Sequence, residues 1–110
     1  MIGPEDQQRL LRLARQALEA RVRQERPPVV ERGGALDLPC GAFVTIHCRG
    51  ALRGCLGRVD VDAPLGDTVA HLAAVVSDSD SRFPRVSPPE LADISLEISV
   101  LTPEREVQSI

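Results

Sequence analysis

The stretch GAFVTIHCRGALRGCLGRV, residues 41 to 59, reads as two strands folded back on one another. GAFVTIHC alternates, with Phe43, Thr45 and His47 on one face and Val44, Ile46 and Cys48 on the other. Arg49, Gly50 and Ala51 make the turn, and LRGCLGRV is the return strand. Strand faces alternate with period two, so one residue more or less in the loop flips every side chain of the return strand. A two-residue loop sets Arg53 and Cys55 against the apolar Val44 and Ile46. A three-residue loop puts Leu52 and Leu56 there instead, and brings Arg53 and Cys55 to the side of Thr45 and His47. Burying an unpaired arginine among aliphatic side chains is costly, so the three-residue loop is expected. Thr45 and Cys55 then share a face, with Val44 and Leu56 buried opposite. A β-bulge in the return strand would give the same faces.

Outward from the hairpin, residues 5 to about 26 carry Leu10, Leu11, Ala14, Leu18 and Val22 at helical spacing. Pro4 suits a first helical turn, Glu5 and Asp6 favour its positive end, and Pro27 and Pro28 stop it. PPVVERGGALDLP, residues 27 to 39, is turn-rich and reads as a surface connection. Pro64 and Leu65 open a second helix with Leu65, Val69, Leu72 and Val76 on one stripe, and SDSDSRFPRVSPP breaks it. ISLEISVL, residues 94 to 101, sends Ile94, Leu96, Ile98 and Val100 inward and Ser95, Glu97 and Ser99 outward. Helix, hairpin, helix and strand predict one α+β domain over residues 1–110, with a mainly antiparallel sheet and flanking helices.

Composition narrows the function. The 110 residues carry a net charge of −3, which argues against nucleic acid or an anionic membrane as the main partner. All 13 basic residues are arginine, so Schiff-base chemistry and a P-loop are excluded. Phe43 and Phe83 are the only aromatic residues, too few for a base-stacking platform. The absence of lysine beside abundant Arg, Ala, Val and Pro points to a GC-rich bacterial genome. The amino terminus lacks an apolar signal core, and the expected compartment is the cytoplasm, with the three cysteines reduced.

Chemistry gathers at Cys55. Arg53 stands two residues before it, and Gly54 and Gly57 flank it. A neighbouring cation favours the reactive thiolate, and glycines let a substrate or partner backbone approach. The plainer reading is a small buried hydrophobe beside glycines that mark a bulge. No metal site is expected: Cys40, His47, Cys48, Cys55 and His71 show no ligand spacing, and His47 and Cys48 face opposite ways. His71 lies off its helix stripe and is expected in solvent, Cys40 in a loop, and Cys48 in the core. Asp80, Arg82 and Phe83 follow the second helix as a loop carboxylate, a helix-terminal arginine and an apolar plug. Glu97 is a lone outward acid, able to orient a base only if the fold brings it to Cys55.

Taken together, GAFVTI, LRGCLG, a helix, DSRF followed by PPEL, and LEISVLTP resemble the AMMECR domain family with its LRGCIG-type motif. The resemblance runs from the first helix to the last residue. It implies an α+β fold of two unequal parts with the LRGC motif lining a cleft between them, and no securely assigned reaction. It carries over to Leu52, Arg53, Gly54, Cys55 and Gly57, and to Asp80, Arg82 and Phe83. Leu56 stands where isoleucine is commoner, and His47 matches no family motif. The partners implied are MEMO-like proteins and radical SAM proteins of a shared modification system; no cofactor is expected of the domain itself. The family continues past the SVLTP strand, so the chain is expected to lack the carboxy-terminal part and to offer three clear strands. Such a chain should self-associate or belong to a longer product. Two functions follow: an enzyme with Cys55 as nucleophile or redox group and Arg53 as activator or anion clamp, or a binding module presenting the LRGC cleft.

Overall fold

In the computed structural model, which describes residues 2–59, 62–102 and 107–110, the first helix, α1, spans Pro4–Val22. Proline is at home in its first turn and Glu5 and Asp6 face its positive end. It stops short of residue 26 because the chain reverses before the prolines are reached. Gln24 takes a left-handed conformation (φ 57°), and the Glu25 amide donates to the Ala20 carbonyl at 2.8 Å. Leu10, Leu13, Ala14, Ala17 and Leu18 are buried along one stripe.

Strands β1 (Gly41–Cys48) and β2 (Ala51–Arg58) form the hairpin, followed by α2 (Leu65–Val75), β3 (Ile94–Leu101) and β4 (Val107–Ser109). All pairings are antiparallel, in the order β2-β1-β3-β4. The fourth strand is an addition to the three expected. Three residues are too few to show a period, and Val107 is exposed, so no pattern announces it. Pro103, the last residue of the LEISVLTP pattern, lies outside the described residues. The connection after α1 is less superficial than its turn-rich sequence suggests. A 3-10 turn at Gly34–Asp37 buries Ala35 and Leu36.

The hairpin loop holds two residues, not three. Cys48 pairs with Ala51, and Arg49 and Gly50 turn the chain with φ of 53° and 83°. Two positive φ values match the strand twist of tight hairpins, and glycine suits the second. The expected faces survive because β2 bulges at Arg53: His47 pairs with Leu52, and Ile46 with Gly54. Beyond the bulge Thr45 faces Cys55 and Val44 faces Leu56, as the cost of burying Arg53 demands. Leu52 departs from expectation. It lies on the turn side of the bulge, opposite His47, and is 42% exposed rather than buried.

Both helices pack on one face of the sheet, against Val44, Ile46, Ile98 and Val100. The other face carries Phe43, Thr45 and His47 from β1, Cys55 and Gly57 from β2, and Ser95, Glu97 and Ser99 from β3. No helix of the described residues is long and apolar enough to cross a membrane.

Candidate functional site

Gly54 and Gly57 are close-approach positions, but what approaches is the protein itself. Gly54 lies on the core face, and a Cβ there would sit 3.1 Å from the Val76 carbonyl oxygen and 3.3 Å from Ile46 Cγ1. The missing side chain thus lets the end of α2 rest on β2. Gly57 lies under the Phe43 ring, whose nearest atom would be 2.0 Å from an added Cβ.

With α2 seated this way, the turn after it meets the edge of β2. Asp80, buried at 7% exposure, accepts the Cys55 backbone N–H through Oδ2 at 3.0 Å. It also accepts from Arg82 at both oxygens, from Nε at 3.0 Å and from an Nη at 2.7 Å, and takes the Arg82 amide at 3.1 Å. One carboxylate therefore caps an edge amide of the sheet and orients a guanidinium. The Arg82 contacts first, and the Cys55 amide next, hold its carboxyl well below the usual carboxylate range. Arg82 is in turn raised, chiefly by Asp80, with a smaller contribution from the charge of Cys55. The guanidinium lies 5.2 Å from the centre of the Phe83 ring and its side chain is 57% exposed.

The Cys55 thiol is half-buried on the helix-free face, with Sγ 3.2 Å from Thr45 Oγ1. Cys48 packs against the core and Cys40 is buried, where desolvation pushes its thiol up. His71 is exposed. Among the described residues no three His, Cys, Asp or Glu side chains converge to hold a metal ion.

Arg53 does not reach toward Cys55 with a free guanidinium. Its donors go to Glu90 at 2.8 and 3.1 Å, the Pro84 carbonyl at 2.7 Å and the Arg85 carbonyl at 3.1 Å. Arg53 straps the segment after the Asp80 turn to the bulged strand. Glu90 is held down to about 2, first by Arg53 and then by the Ser87 amide. Of the sequence-nominated residues, Cys55, Asp80 and Arg82 come together, Phe83 stacks behind Arg82, Arg53 acts one segment away, and the glycines make the fit. Glu90 went unnoticed as a site residue. The Ser87-x-x-Glu90 capping spacing signals its local role, yet nothing local announces a partner 37 residues away.

Replacing Asp80 by Asn should lower the unfolding temperature by several degrees at neutral pH, because an amide cannot accept from Arg82 and Cys55 alike. A depressed carboxyl contributes stability that is complete above its unfolded pKa and is lost as pH falls toward its folded pKa. The difference between Asp80→Asn and the parent should therefore shrink below the ordinary carboxylate range, as thermal unfolding from pH 7 to pH 2 would show.

A helix-backed antiparallel sheet with a thiol on its open face and an Asp–Arg clamp at its edge defines a class: an α+β domain built around the LRGC strand. Comparison with known proteins agrees. The AMMECR1 family pattern matches residues 11–110, and the chain belongs to the AMMECR1 family. It is 37% identical over 105 residues to a protein of Methanothermobacter thermautotrophicus, covering 90% of this chain and 53% of that one. A protein of Aeropyrum pernix is 40% identical over 100 residues, covering 87% and 43%. The crystal structure of the uncharacterized protein PH0010 from Pyrococcus horikoshii superposes with a TM-score of 0.82 at 30% identity, covering 90% of this chain and 52% of that one. The chain thus spans about half the length of these relatives. They are archaeal, so the bacterial origin expected from composition finds no support in them.

Proposed function

We propose that this AMMECR1 domain acts through Cys55 as a nucleophilic or redox thiol, with Arg82 as the neighbouring cation and Arg53 as the strap that holds the Arg82 turn in place. The observation that carries this reading is the Asp80 clamp. A single buried carboxylate binds both the Cys55 backbone amide and the Arg82 guanidinium, so the cation is tied to the backbone that carries the thiol. A fixed cation favours thiolate over thiol, and an exposed one can also receive an anionic group of the substrate.

Limited alkylation with mass-spectrometric readout tests it. Cys55 should be modified before Cys40 and Cys48, at least tenfold faster than the buried Cys40. Preferential labelling of Cys48 would refute the reading.

A second reading, a non-catalytic binding module, has its own support. Phe43 and Leu52, 40% and 42% exposed, flank the thiol on the same face and offer apolar anchors to a protein. MEMO-like and radical SAM proteins are the partners this reading puts forward. Activity lost in Cys55→Ser with partner binding intact favours the enzyme, and the reverse favours the module.

A further inference from the structure

We infer that His47 is the proton acceptor for Cys55. The inference rests on the thiol reading above and adds the base that reading lacks. Thr45 is the hub of the helix-free face: it pairs with Cys55 on one side and Glu97 on the other, and its hydroxyl touches Sγ. His47 is the next residue of β1 on that face, so it stands diagonal to both Cys55 and Glu97. Diagonal neighbours across antiparallel strands lie about 7–8 Å apart at Cα, a span that an imidazole and a thiol can close directly or through one water. The bulge at Arg53 is what makes this geometry. Without it the two-residue loop would turn Cys55 to the core face, away from His47.

Charge pairing singles out the same two groups. Around the thiol, Arg53 is bound to Glu90, Arg82 to Asp80, and Arg49 at the hairpin end to Asp93. His47, half-buried, and Glu97, exposed, have no hydrogen-bond or ion-pair partner among the described residues, and both lie on the sheet face that carries Thr45 and Cys55. An imidazole on the same face as a thiol can serve as the base that activates a cysteine nucleophile. The step balances simply. The Sγ–H proton passes to an imidazole nitrogen, a sulfur lone pair forms the bond to the electrophilic carbon, and the leaving group departs with its electrons.

Iodoacetamide is a suitable probe, its iodide being the leaving group. His47→Gln should lower the Cys55 alkylation rate at pH 7 by about tenfold while leaving the rates of Cys40 and Cys48 as in the parent. A Cys55 rate unchanged by His47→Gln in a folded protein overturns the inference while leaving the thiol reading intact. If Cys55 is not the fastest thiol in the parent chain, the thiol reading fails and takes this inference with it.

Discussion

Gly54→Val is expected to destabilise the protein by about 1–3 kcal/mol and to erase the labelling advantage proposed for Cys55. The backbone at Gly54 has no positive φ, and valine is a strand-favouring residue, so conformation is not the obstacle. The obstacle is space. A Cβ would sit 3.1 Å from both the Val76 carbonyl oxygen and Val76 Cγ2, and two γ-methyls would follow it. The carbonyl belongs to the end of α2 and cannot swing aside as a side chain could. The helix end must lift, and with it the turn carrying Asp80 and Arg82, which takes the clamp off Cys55. Urea unfolding would measure the first effect and competitive alkylation of the three cysteines the second. A variant with unchanged midpoint and unchanged Cys55 selectivity would show that the tight contact is not what positions the turn.

Arg53→Ala should cost about 2–3 kcal/mol, because it strands a carboxylate and two carbonyls together. The Arg53 side chain is 13% exposed and Glu90 28%, so water replaces these bonds only in part. The pair also sets an acid sensitivity of known sign. Glu90 is lowered from 4.5 to about 2. Its stabilisation is therefore complete above the unfolded value, and it is lost as pH falls from 4.5 toward about 2. Urea midpoints measured from pH 6 down to pH 2 should fall in the parent. The same curve should be flatter in Arg53→Ala, since the Ser87 amide alone then holds Glu90 down. Equal slopes in the two proteins would remove the pair from the account of stability. Lysine at position 53 should rescue only part of the loss, for an ammonium cannot serve a bidentate carboxylate and two carbonyls at once.

Much of the fold was legible locally. The alternation assigned residues 43–48 of β1 and 94–100 of β3 to the faces they occupy, because a strand half covered by helices must alternate. The helix stripes were equally plain, though the end of α1 was set by a left-handed Gln24 that no composition rule marks. The hairpin shows where local reading stops. Desolvation of Arg53 correctly required Thr45 to face Cys55, but a longer loop and a bulge satisfy that requirement equally. The type of turn was fixed by the backbone twist at Arg49 and Gly50, and the bulge absorbed the remainder.

The site divides the same way. By itself the sequence determined that Cys55 stands on a strand beside Arg53, Gly54 and Gly57, and that Asp80, Arg82 and Phe83 follow the second helix. Two residues apart along a strand, Arg53 looks like the cation of Cys55. Only the tertiary structure decided that Arg53 turns to Glu90, 37 residues on, and that Arg82, 27 residues after Cys55, binds the same Asp80 carboxylate as the Cys55 amide. The reason is physical. An arginine on a half-buried edge must satisfy several donors at once, and the nearest set of acceptors comes from a distant segment, Pro84 to Glu90. That segment reaches β2 only because Gly54 has no side chain to hold the end of α2 away.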